Sequence, residues 1–100
     1  MSNNTIFIDE RIKQTHHIYQ QAIALAKEIG YENSKYCDLI DKFGDFLFEF
    51  GKHEEALIYR KELVELKEKL LGENHIDLAK AFIRYGRTLD SLNQSEQALK

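Results

Sequence analysis

The chain has no proline, five glycines and one cysteine in 100 residues. Without proline no backbone donor is removed and no helix interior is interrupted, which favours long helices. The single cysteine, Cys37, excludes an internal disulfide and fits a reducing compartment, so a cytoplasmic location is expected. Basic residues are not clustered, and a net charge of −3 with interleaved signs offers no footprint for nucleic acid or a membrane surface. The opening MSNNTIFIDERIKQ has neither a basic start nor a long apolar core, so it does not read as a secretory signal. No apolar run approaches the ~18 residues of a membrane span.

What remains is 43% apolar and 31% charged, ordinary for one small globular domain and too apolar for disorder. A domain of this size has a thin margin of stability. Residues 1–8 are expected as a flexible lead in which Ile6, Phe7 and Ile8 fold back, with Asp9 capping a first helix that Gly30 ends. Its apolar positions, Ile12, Tyr19, Ala22, Ile23, Ala26 and Ile29, recur at helical spacing. A second helix, capped by Asn33 or Ser34, carries Tyr36, Leu39, Ile40, Phe43, Phe46, Leu47 and Phe50 and stops at Gly51 in the left-handed region. A third, from about His53 to Leu71, carries Ala56, Tyr59, Leu63, Leu66 and Leu70 and stops at Gly72. Asn74, with Asp77 as its reciprocal partner, opens a fourth whose buried side is Leu78, Ala81, Phe82, Tyr85, Leu89 and Leu92. Asn93 then makes a corner, and Ser95 caps a fifth helix barely one turn long.

Residues 70–100 superimpose on 28–58 at a period of 42, with six identities in 31 pairs: Gly30/Gly72, Gly44/Gly86, Leu47/Leu89, Glu54/Glu96, Ala56/Ala98 and Leu57/Leu99. A helix pair returning at such a period indicates a solenoid. Gly44 and Gly86 fall inside apolar stripes, where glycine costs about 1 kcal/mol against alanine, so both are expected at close helix crossings.

The run GKHEEALIYRKELVELKEKLLGENHIDLAKAF resembles the tetratricopeptide repeat pattern, in the long-repeat form of kinesin light chains. Gly44, Gly51 and Ala56 take the family's small positions, and Gly86 and Ala98 repeat two of them. His53 and Ser95 replace the usual aromatic after the corner, Asn93 replaces glycine, and Ile76 replaces proline. The resemblance covers about residues 16–100 and implies an all-α, right-handed solenoid of antiparallel helix hairpins. There would be about two repeats, 33–72 and a truncated 74–100, behind a leading helix, within one domain spanning 9–100.

The resemblance places the first helix of each pair on a concave, ligand-contacting face. There Asp38, Asp41, Asp45 and Glu49, spaced three, four and four, make an acidic strip beside Lys42 and the exposed aromatic Phe48. Lys80, Ile83, Arg84, Arg87 and Asp90 supply the next helix. This reads as a groove for a protein or peptide segment, with basic or mixed basic–apolar segments preferred. A solvated helix face accounts for the same strip of charge. One variant of the family grips a C-terminal carboxylate with Lys and Asn, but Asp41 and Asp45 stand at those places, which argues against that mode.

No nucleophile–base pair, phosphate loop or metal spacing is present, so neither an enzyme nor a cofactor or metal is expected. His16 and His17 diverge by about 100° on a helix and chelate poorly. His75 suits a cap or a packing role, and Cys37 a small core position. A second reading is self-assembly. With only a stub after Asn93, the face of Phe82, Tyr85, Leu89, Leu92 and Leu99 lacks a covering helix, which suggests a homodimer through the C-terminal hairpin. A third is that the chain is the regulatory front part of a longer protein.

Overall fold

The computed structural model describes residues 2–30, 34–72 and 74–99, with the backbone alone for 2–8 and 95–99. The fold is all-α, four helices in sequence: α1 (Ser2–Glu28), α2 (Ser34–Glu49), α3 (His53–Leu71) and α4 (Ile76–Leu99). Two compact units divide the chain, Met1–Glu32 and Asn33–Lys100. Among the described residues no helix is long and apolar enough to cross a membrane.

The first unit is the single helix α1. It begins at Ser2, seven residues before Asp9, so residues 2–8 continue the helix rather than lead into it. The reason is that no glycine or proline lies between Ser2 and Glu28, and a polar residue able to cap is equally able to sit within a turn. Whether Ile6, Phe7 and Ile8 fold back concerns side chains outside those described. Gly30 ends the segment at φ 70°, its N–H donating to the Lys27 carbonyl at 3.2 Å.

In the second unit, α3 packs against both α2 and α4. The corner between α2 and α3 is closed by two bonds: the Lys52 N–H reaches the Leu47 carbonyl at 2.8 Å and the Gly51 N–H reaches the Phe48 carbonyl at 3.2 Å. Gly51 stands at φ 77°, the left-handed position this pairing demands and glycine adopts cheaply. Tyr36, Cys37, Ile40, Phe43 and Leu47 of α2 meet Ala56, Leu63 and Val64 of α3 in the core, and Leu78 and Ala81 of α4 complete it. Phe43 and Tyr59 pack with ring centroids 4.9 Å apart. Burying each such apolar side chain is worth about 1.5–3 kcal/mol.

The α3 bounds agree with those read from the sequence. The start of α4 does not: the helix begins at Ile76, and the cap is His75, whose Nδ1 accepts the Asp77 N–H at 3.1 Å. Asn74 lies one residue too early to serve, and Asn33, the other proposed cap, lies outside the described residues.

The end of α4 is a larger correction. The helix runs without a break through Asn93 to Leu99, so there is neither a corner nor a separate fifth helix. A sharp corner needs a residue at positive φ; glycine takes it at Gly51, but no non-glycine residue in the described chain does so. The Asp90–Gln94 side-chain bond of 3.2 Å, one turn apart, further holds the helix across the expected corner.

The buried side of α4 shifts accordingly. Thr88 is fully buried, its hydroxyl donating to the Arg84 carbonyl at 2.9 Å, while Phe82 and Leu89, expected inside, are 49% and 38% exposed. Their repeat counterparts Ile40 and Leu47 are wholly buried on α2. The difference is that α2 has α3 folded back along it, whereas the chain beyond Leu92 continues α4 straight on.

Candidate partner-binding site

The most organised polar feature is Arg60 on α3. Ala56, Arg60, Leu63 and Val64 form the buried side of that helix, so Arg60 occupies a core position. A guanidinium there must be compensated, because an unpaired buried charge costs several kcal/mol. Its Nη1 donates to Asp41 Oδ1 at 3.1 Å and its Nη2 to Asp45 Oδ1 at 2.6 Å. Asp41 and Asp45 reach it together because they stand one turn apart on α2. The Arg60 Nε is buried with no hydrogen-bond partner and lies over Gly44. A Cβ at Gly44 would stand 3.0 Å from Nη1 and 3.3 Å from Nε. Gly44 is therefore bare to admit a side chain, not a helix backbone. Gly86 has open space where its Cβ would be, so the expected crossing at that glycine is absent.

Asp41 also receives α4. Arg84 Nη1 lies 3.3 Å from each of its carboxylate oxygens. One carboxylate on α2 thus ties in both α3 and α4. The acidic strip read from the sequence is therefore divided: Asp41 and Asp45 are internally neutralised, and Asp38 and Glu49 stay exposed.

Between α2 and α4 lies a recess of about 130 Å³ lined by Asp45, Phe48, Arg60, Arg84 and Arg87. It brings together four of the groove residues expected from the sequence. Phe48 is half-buried rather than exposed, and the His53 ring packs edge-on to it at 4.8 Å. His53 thus supplies the aromatic contact at the position where the repeat pattern usually has an aromatic residue. Arg87 is exposed and makes no ion pair among the described residues. Lys42, Lys80, Ile83 and Asp90 are exposed and do not line the recess; Asp90 is bonded to Gln94. Of the proposed self-pairing surface, Phe82 and Leu89 are exposed and Tyr85 is half-buried. Leu92 lines a hollow of about 400 Å³ with residues 51–55 at the α2–α3 corner, and the Leu99 side chain lies outside those described.

Arg60 is not among the site residues expected from the sequence, since a charged side chain ordinarily lies at the surface. Its spacing of four from Ala56 and three from Leu63 was the available signal. A second buried polar contact, Tyr36 Oη donating to Glu62 Oε2 at 2.6 Å, joins α2 to α3. Burial first, then this bond, push the Tyr36 phenol well above its ordinary range. Burial likewise raises the Cys37 thiol, and the Tyr59 phenol through burial and then Glu55.

Residues 34–99 thus form an array of helices in which α3 packs on both α2 and α4 and one α2 carboxylate is bonded to both of the others. A family profile described as Tetratricopeptide repeat matches residues 37–100, and the chain belongs to that family. No curated protein matches the chain. Repeats of this family mediate protein–protein interaction.

Proposed function

We propose that the chain is a non-catalytic interaction module that takes a segment of a partner protein along the face shared by α2 and α4. The observation that carries this reading is the recess itself. Phe48 and Arg87 stand at its edge with free surface, while the charges behind them are already paired, so a partner need not break the fold to bind. Basic side chains of the segment meet the exposed carboxylates of Asp38 and Glu49, a contact that weakens with salt. The buried free thiol of Cys37 supports action in the reducing cytoplasm.

Peptides selected on the purified chain from a displayed random library test this. Phe48→Ala and Ile83→Glu are expected to abolish binding, and Ile58→Glu, an exposed position of α3, to leave it intact. Loss with Ile58→Glu alone contradicts the reading.

A second reading is self-pairing. The exposure of Phe82 and Leu89, whose counterparts are buried, favours a second copy covering that face. Light scattering at micromolar concentration separates the two: a dimer of the 11.8 kDa chain that Leu89→Glu dissociates supports pairing, and a strict monomer refutes it.

A further inference from the structure

We infer that α1 carries a pairing surface for the α1 helix of a second copy, laid antiparallel. The surface lies outside the face of α2 and α4 and uses neither Phe82 nor Leu89. α1 has two apolar sides. Ile23 and Ala26 are buried, and Ile12 and Tyr19 are half-buried. Ile18, Leu25 and Ile29 are instead 63%, 59% and 69% exposed, with the half-buried Ala22 among them. Ile29, grouped with the buried side in the sequence, therefore belongs to the other. Its N–H donates to the Leu25 carbonyl at 3.2 Å, so it keeps the helical register. Positions 18, 22, 25 and 29 advance by four, three and four and fall within about 60° on the helix. That is the seam spacing of paired helices. Covering a second apolar side removes more apolar surface from water.

Size and charge along the seam select the occupant. At the same spacing the seam continues back through Thr15 and Arg11. Turning a second copy end for end about Gln20 sets Ile18 against Ala22 of the other copy, Leu25 against its Thr15 and Ile29 against its Arg11. Each layer then joins a bulky side chain to a small or flexible one. The Arg11 stem lies along Ile29 of the other copy and its guanidinium reaches Glu28 there, twice over by the two-fold symmetry. Arg11 and Glu28 are both exposed, and neither makes an ion pair among the described residues. Lys13 and Lys27 lie on the opposite side of the helix, Lys13 3.9 Å from Glu10. A parallel pair would bring Arg11 against Arg11 and Glu28 against Glu28, and like charges disfavour it. This match of the seam to its own reverse is what points to a second copy.

The seam runs about 27 Å from Arg11 to Ile29. That is shorter than the three to four heptads of a sustained coiled coil, so the pairing is weak and reversible.

Sedimentation equilibrium of the purified chain, from micromolar to millimolar concentration, tests this. The expected result is a monomer–dimer equilibrium of the 11.8 kDa chain. Leu25→Glu is expected to weaken it about tenfold or more, and Leu89→Glu to leave it unchanged. Arg11→Glu and Glu28→Arg are each expected to weaken pairing several-fold, and the two combined to restore it. The two positions stand about 26 Å apart along one helix, too far to meet within a chain. Restoration therefore reports a contact between antiparallel copies. The melting temperature of the dilute monomer should be the same for all these α1 variants, whose altered side chains are exposed.

A monomer at every concentration would overturn the proposal. A dimer that Leu89→Glu dissociates and Leu25→Glu does not would overturn it in favour of the α4 face. A double variant no stronger than the single ones would overturn the antiparallel arrangement. Peptide binding to the face of α2 and α4 is expected to survive Leu25→Glu, so the two readings stand or fall separately.

Discussion

Arg60 lies across Gly44: a methyl group on that glycine would stand 3.0 Å from Nη1 and 3.1 Å from Cζ. The guanidinium is held in place by Asp41 and Asp45, so it cannot step aside without stretching two charged hydrogen bonds. Gly44→Ala is therefore expected to destabilise the protein despite a helix-propensity gain of about 1 kcal/mol. Gly44→Leu should cost on the order of 1–3 kcal/mol or more. At Gly86, with open space around it, alanine should stabilise by about 1 kcal/mol. Urea denaturation of the three variants checks the opposite signs, and in an Arg60→Ala background the Gly44→Ala penalty should vanish.

Asp41 joins three helices and Arg84 only two, which predicts unequal costs. Asp41→Ala leaves the buried Arg60 with Asp45 alone and should cost about 1–3 kcal/mol. Arg84→Ala removes a part-exposed pair and should cost no more than about 1 kcal/mol. Equal effects in chemical denaturation would show that Asp41 does not anchor Arg60.

These two glycines and the two aspartates also show what was legible. Repeat periodicity, glycine spacing and apolar stripes revealed the helices and the Gly51 corner, and the family resemblance implied that Asp45, Phe48, Arg84 and Arg87 share one face. Pairing was not legible, because a sequence shows Asp41 as a charge but not the arginines 19 and 43 residues away that neutralise it. Gly44 does sit at a close approach, as its place in the apolar stripe implies, but the approaching group is the Arg60 guanidinium and not a helix backbone. Asn93 misled because alignment with Gly51 suggested a corner, while the local chain, free of glycine and proline after Gly86, favours helix. Thr88 was overlooked for the same reason as Arg60: a polar residue on the packed side of a helix is readable only from its spacing.

Alkaline pH should destabilise the fold. Tyr36, Cys37 and Tyr59 all have folded pKa values raised above their ordinary 9–10 range. For each, the contribution to stability is fully present below the unfolded pKa and is lost as pH rises toward the folded one. The melting temperature is expected to hold up to about pH 9 and to fall above it. Tyr36→Phe, which deletes the most strongly shifted group, should start lower at pH 7 through loss of the Glu62 bond and decline less steeply above pH 10. A parallel decline in both proteins would contradict the assignment.

His75 caps α4 through its ring nitrogen, in place of the more usual hydroxyl or carboxylate. His75→Ala should cost about 0.5–2 kcal/mol, and His75→Asn, which keeps an acceptor for the Asp77 N–H, much less. Thermal denaturation of the two variants at pH 7 distinguishes this cap from a purely solvent-exposed role.

The face shared by α2 and α4 is where the partner is expected to seat. Amide and methyl chemical-shift mapping tests it most directly, with a library-selected peptide titrated onto the isotopically labelled chain. Perturbations are expected to concentrate on residues 38–49 and 80–90, with the largest at Phe48 and Arg87, and little change at Ile58 and Glu65 on α3. Perturbations concentrated on the exposed side of α3, with Phe48 and Arg87 unmoved, would contradict it.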